Sequence, residues 1–111
     1  MDSQARQRVA MNEATFRRVN ESMESAQDPG GRLSFLCECG RLGCNQLIRL
    51  TRAEYEAVRA NSRRFALVDG HEMPEVEDVV DRAEGFIVVE KRGAAEAEVV
   101  EHTDPRRPLD D

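Results

Sequence analysis

Leu33-Ser34-Phe35-Leu36-Cys37-Glu38-Cys39-Gly40-Arg41-Leu42-Gly43-Cys44-Asn45-Gln46-Leu47-Ile48-Arg49-Leu50 sets two short apolar runs about a bend that holds every cysteine of the chain. Residues 33–37 and 46–50 read as a strand and its returning partner, with residues 40–43 as the turn between them. Cys37 and Cys39 are one residue apart, so on an extended strand their sulfurs share a face. Gly40 tolerates the positive φ that folds the chain back, and Cys44 returns on the other limb. One hairpin thus presents three thiolates to a single point.

Three clustered cysteines are an odd number, which leaves a thiol over from any closed disulfide framework. Zn2+ suits three thiolates, because it accepts sulfur at about 2.3 Å and imposes no ligand-field geometry. The chain has two histidines to complete a tetrahedron. His71 follows Gly70 at the end of an expected strand and is the favoured fourth ligand, which makes the metal set Cys37, Cys39, Cys44 and His71. His102, a carboxylate or a water stand behind it. Asp69 is placed to orient the imidazole, as carboxylates around metal-bound histidines commonly do. The competing reading treats the cysteines as small buried hydrophobes.

Outward from the hairpin, Ala5, Val9, Asn12, Phe16, Val19, Met23 and Ala26 recur at alternating steps of four and three. They predict a helix over about residues 3–26. The pattern fits a dimerising seam and also a helix laid on its own domain, and the second reading is preferred at so short a length. Asp28-Pro29-Gly30-Gly31 breaks it. Thr51-Arg52-Ala53-Glu54 is a capping box opening a helix to about residue 60. Residues 65–68 read as a strand closed by Asp69-Gly70-His71. Residues 86–90 read as another strand, in a hairpin turning at Ala83-Glu84-Gly85, with a short helix over residues 76–81 as the rival. Residues 94–101 hold one or two helical turns.

The expected architecture is therefore α+β. A long amphipathic helix (residues 1–27) and a linker (28–31) precede a small zinc-stabilised domain (32–102) of short antiparallel strands and hairpins with one central helix. A mobile tail (103–111) ends the chain. The part from about Leu33 to Arg92 is some sixty residues, a size at which one apolar core is marginal and a structural metal often supplies the difference.

The 111 residues carry 16 basic and 22 acidic side chains, a net charge of −6. Residues 1–64 balance at +3 (11 basic, 8 acidic) and residues 65–111 at −9 (5 basic, 14 acidic). An acidic chain is a poor general ligand for phosphate backbones, so nucleic acid is disfavoured as a partner. Arg41, Arg49, Arg52, Arg59, Arg63 and Arg64 leave a local basic face open, with only Tyr55 among them as an aromatic. No apolar run spans a bilayer, and the first residues lack the apolar segment of a secretory signal. A cytoplasmic protein is expected.

His71-Glu72-Met73-Pro74-Glu75 superficially suggests a zinc-protease helix. Glu75 stands where the second histidine belongs, and Pro74 breaks the helix. Phosphate-cradling and serine-nucleophile motifs are absent from the sequence. The expected role is non-enzymatic: a protein-interaction or regulatory module whose partner is another protein, or a second copy through the N-terminal helix. A zinc–thiolate redox sensor and a nucleic-acid-binding zinc module are the alternatives.

The blocks Cys37-Glu38-Cys39-Gly40, Cys44, residues 50–59, Arg64-Phe65, Gly70-His71-Glu72 and Val88-Val89-Glu90-Lys91 resemble, in kind and order, a group of small uncharacterised actinobacterial proteins. That resemblance implies a bacterial cytoplasm and supports pairing the cysteines with the Gly-His turn, and it brings no activity with it. Asp69-Gly70-His71 also resembles the loop of CDGSH-type iron–sulfur proteins, which use three cysteines and one histidine. The cysteine spacing differs and no cysteine directly precedes Asp69, so an iron–sulfur cluster ranks behind zinc.

Overall fold

The computed structural model describes residues 1–108 and shows an α+β fold. Helix α1 (Ser3–Ala26) opens the chain, capped by Asp2, whose side chain accepts a 2.8 Å hydrogen bond from the Ala5 amide. Strands β1 (Arg32–Leu36) and β2 (Leu47–Thr51) form an antiparallel pair with Phe35 opposite Ile48. Helix α2 (Arg52–Arg59) follows directly, its capping box on Thr51 and Glu54 complete. Strands β3 (Arg64–Leu67), β4 (Glu77–Ala83) and β5 (Phe86–Lys91) make a second antiparallel sheet in the order β3-β5-β4. Helix α3 (Ala94–His102) packs against α1.

The core lies on both faces of β5, because side chains alternate along a strand. Phe86 and Val88 join Leu33, Phe35, Ile48, Leu50, Tyr55, Val58 and Ala66 on one side. Ile87 and Val89 join Ala10, Cys37, Cys39, Phe65, Leu67 and Val100 on the other. Phe35 and Tyr55 stack with ring centroids 4.2 Å apart.

Two sequence expectations, the buried face of α1 and the tail, are corrected. The buried face of α1 is Ala10, Glu13, Ala14, Arg17, Asn20 and Glu24, not the heptad seam, from which Val19 points into solvent at 41% exposure. Polar atoms decide that face: the Arg17 guanidinium donates to the Ser62 and Val100 carbonyls at 2.6 Å each and lies 4.9 Å over the Phe65 ring. Of the two readings for residues 76–81, the preferred hairpin turning at Ala83-Glu84-Gly85 is the one that forms. These residues enter β4, because Glu77–Ala83 finds a partner in β5 across a two-residue turn, Ala83 opposite Phe86. The helical turns expected at residues 94–101 form α3, since Ala97 and Val100 give it a face to bury. The stretch expected to trail off from residue 103 is anchored through residue 106. Asp104 is buried against the Arg59 guanidinium, and Arg106 bridges Glu21 (2.9 Å) and Glu56 (2.6 Å). Residues 109–111 of that expected tail lie outside the described residues. Among the described residues, no helix is long and apolar enough to cross a membrane.

Candidate metal centre

Cys37, Cys39, Cys44 and His71 converge, their ligand atoms all within 4.8 Å of one another. Three separate turns bring them there. The strand β1 ends at Leu36, so the two sulfurs of the Cys-x-Cys unit are aimed by a loop and not by a shared strand face. That loop is fixed at both ends of its first half: the Cys37 amide donates to the Gln46 carbonyl at 2.9 Å, and the Glu38 amide to the Ala66 carbonyl at 2.9 Å. Gly40, at φ 72°, then turns the chain. Cys44 closes a turn by donating its amide to the Arg41 carbonyl at 3.2 Å, and His71 does the same to Val68 at 3.0 Å.

The imidazole Nδ1 lies 3.6 Å from Cys37 Sγ and 3.7 Å from Cys44 Sγ. A tetrahedral zinc with bonds of about 2.3 Å to sulfur and 2.0 Å to nitrogen requires sulfur–nitrogen edges of about 3.6 Å. The spacing is thus that of ligands around one ion. Cys37 and Cys39 are buried, while Cys44 and His71 are partly exposed and form the rim. The Val68 amide points at Cys37 Sγ from 3.2 Å, a backbone donor of the kind that stabilises a thiolate. Without a metal the sulfurs share their protons unequally. A hydrogen bond from Cys37 pulls the Cys39 thiol down to about 4, and the same bond, with burial, pushes Cys37 up. A bound cation would replace that bond by stabilising all three thiolates.

Asp69 does not orient the imidazole. It pairs with Arg82 at 3.1 Å, because both are exposed on the adjoining turn and strand. Gln46 takes that place, with Nε2 3.4 Å from His71 Nε2. His102 lies exposed at the end of α3 and outside the four-residue group.

Two residues that support the site carried no signal of their own in the sequence. Glu38, between the two cysteines, is fully buried. Its carboxylate accepts from the Asn20 amide (2.8 Å), the Tyr55 hydroxyl (2.8 Å) and the Ala66 backbone (3.0 Å), so it ties the Cys-x-Cys loop to α1, α2 and β3 at once. Burial raises its pKa against the pull of those three donors. Asn12 donates to the Gly40 carbonyl at 3.1 Å and clamps the same loop from α1. Comparison with protein-family models, with curated proteins and with solved structures finds no match to this chain.

Proposed function

We propose that the protein is a small module built around a structural Zn2+ held by Cys37, Cys39, Cys44 and His71, and that it acts by binding another protein. The distances from the imidazole nitrogen to two of the sulfurs, with all four donor atoms within 4.8 Å of one another, carry the reading. Four protein ligands close a zinc's coordination shell and leave no position for substrate, which favours a structural ion over a catalytic one. A two-iron cluster spreads its ligand pairs across two metals, and four donor atoms all within 4.8 Å suit a single ion better. The metal would tie the β1–β2 hairpin to the loop after β3, joining the two sheets.

Elemental analysis of protein purified without added metal should return one zinc per chain and a colourless solution. Stripping with a strong chelator should lower the melting temperature by at least about 10 °C, since each kcal/mol corresponds to several degrees in a domain of this size. A visible absorption band, or a melting curve unmoved in protein verified metal-free, would remove the reading. A thiol sensor is the second reading, favoured by one observation: Cys44, a ligand, sits at the exposed rim. Zinc release at low peroxide, with two thiolates joining as a disulfide while peroxide is reduced to water, would support it; an inert site would not.

A further inference from the structure

Every sheet has edges, and this fold treats three of its four in one way and the last in another. The outward backbone groups of β1 belong to Ser34 and Leu36, and side-chain amides from α1 occupy them. Asn20 accepts from the Leu36 amide (2.8 Å) and donates to its carbonyl (2.9 Å), while Gln27 does the same for Ser34 at 2.9 and 2.8 Å. The β3 edge is covered by the Cys-x-Cys loop, through Glu38 to Ala66 and Cys37 Sγ to the Val68 amide. The β4 edge carries a bulge at Val80, between Val79 and Asp81, and is lined by exposed Asp78, Asp81 and Arg82. Bulges and charges of this kind are how sheets discourage strand addition.

Strand β2 has neither device. Its pairing with β1 turns the amides and carbonyls of Leu47 and Arg49 outward, since Cys37 bonds Gln46 and the ladder alternates from there. Among the described residues nothing hydrogen-bonds to those four groups, whereas the next outward amide, that of Thr51, is taken by Glu54 Oε1 at 2.8 Å. Leu47 is 57% exposed beside them, and Leu42, on the bend that leads to β2, is 85% exposed. The charge here also departs from the rest of the molecule. Between residues 29 and 53 the charged groups are Arg32, Arg41, Arg49 and Arg52, with Glu38 the one carboxylate, and that is buried. Arg32, Arg41 and Arg49 have no carboxylate partner among the described residues, although Arg59, Arg63, Arg64, Arg82, Arg92 and Arg106 all do. Arg49 donates instead to the Arg32 carbonyl at 3.0 Å, which holds its side chain along the face that Leu47 shares.

We propose that the β2 edge is the interaction surface of this module and receives an extended, acidic segment of a partner protein as an added antiparallel or parallel strand. The four open backbone groups select an extended chain, because carbonyl acceptors and amide donors alternate there as only another strand does. Leu47 selects an apolar side chain in the incoming strand, and Arg49 selects a carboxylate two residues from it on the same face. Nucleic acid would satisfy the arginines, but its sugar–phosphate backbone offers no alternating donors and acceptors at strand spacing to match the Leu47 and Arg49 groups. This inference deepens the interaction reading above and rests on it, but not on the identity of the metal.

The test uses the full chain and an eight-residue peptide in which valine and glutamate occupy every second position in turn, so that both lie on one face, with threonine between them; its lysine-for-glutamate counterpart and a single-stranded oligonucleotide are the controls. The acidic peptide should bind with a dissociation constant below about 1 mM and slow hydrogen exchange at the Leu47 and Arg49 amides. Leu47→Pro removes an outward amide that no internal bond uses, so it should keep metal content and melting temperature while weakening the peptide at least about tenfold. Arg49→Glu should reverse the preference between the two peptides. Failure of every peptide to protect those amides would overturn the proposal, as would an oligonucleotide that outcompetes the peptide and ignores Leu47→Pro. Self-association abolished by Leu47→Pro would overturn the acidic partner in favour of a second copy. Metal content measured on the same samples separates this outcome from failure of the zinc reading: peptide binding by metal-free folded protein leaves the edge standing alone.

Discussion

At Gly40, two requirements fall on one residue. Its φ of 72° suits a residue without a side chain, and a β-carbon there would sit 2.8 Å from Glu13 Cγ, 3.0 Å from the Val9 carbonyl and 3.1 Å from Val9 Cγ1. The carbonyl belongs to the α1 backbone and cannot move aside as a side-chain tip can. Gly40→Ala should therefore destabilise by roughly 2–4 kcal/mol, strain and contact together, and should weaken metal retention because Cys39 adjoins it. Denaturant melts and zinc analysis of that variant check both. The turn at Gly40 was legible from the sequence, since a glycine follows the second cysteine of a tight pair. The contact with α1 was not, because nothing local to the hairpin says what lies over it. His71 and Asp69 divide the same way: the Gly-His turn was readable, but the neighbour of the imidazole is Gln46, just before β2 and twenty-five residues away.

Among the elements, α1 departs furthest from its pattern. Its apolar seam suggested an oily stripe, and its buried side is instead a row of polar groups that finish the hydrogen bonding of other elements. Asn20 and Gln27 stand seven residues apart on the helix and serve Ser34 and Leu36, two residues apart on β1, so two helical turns are matched to one strand repeat. Asn20 also donates to Glu38, linking this edge to the loop that aims Cys37 and Cys39. Truncation would leave the Leu36 amide and carbonyl and one Glu38 oxygen short of a partner. Asn20→Ala should cost about 1–3 kcal/mol, and native-state hydrogen exchange should show the Leu36 amide opening faster than in the parent. An unchanged Leu36 rate would mean that the helix amides are ornaments on an edge already stable without them.

Over the whole molecule, buried charge holds the ends together. Lys91, the chain's one lysine, lies wholly buried on β5 with Glu13 of α1 at 2.5 Å and Glu77 of β4 at 3.5 Å. Burial, and then the neighbouring Glu77, raise the Glu13 carboxyl well above its usual range, against the pull of Lys91. A raised carboxyl means that the folded state holds a proton the unfolded chain has released. Stability should therefore fall as pH climbs from the ordinary carboxylate range through Glu13's raised value. Glu13→Gln, which keeps the neutral shape, should flatten that fall; melting temperatures from pH 5 to 8 for both proteins decide it. Asp104 works with the opposite sign. Although burial opposes it, hydrogen bonds from Arg59 and from the Arg106 amide hold its carboxyl below the usual value, so its share of stability is present at neutral pH and is lost as pH falls below the ordinary aspartate range. Asp104→Ala should cost about 3 kcal/mol by stranding the Arg59 side chain, with Glu21 at 2.7 Å limiting the loss.

The sequence by itself determined the elements whose causes are local. Alternation and turn glycines gave the hairpins, the Thr51–Glu54 box gave α2, and the spacing of three cysteines about Gly40 gave a ligand set awaiting a fourth member. Local patterns are short-ranged because they report only which face of an element is apolar and where the backbone must turn. Tertiary structure alone decided what lies across each face: the polar side of α1, the carboxylate of Glu38 set among α1, α2 and β3, the burial of Lys91 and Asp104, and the one sheet edge left open at β2. Those arrangements depend on hydrogen bonds and charges between residues as much as 85 positions apart, and no window of sequence contains both partners.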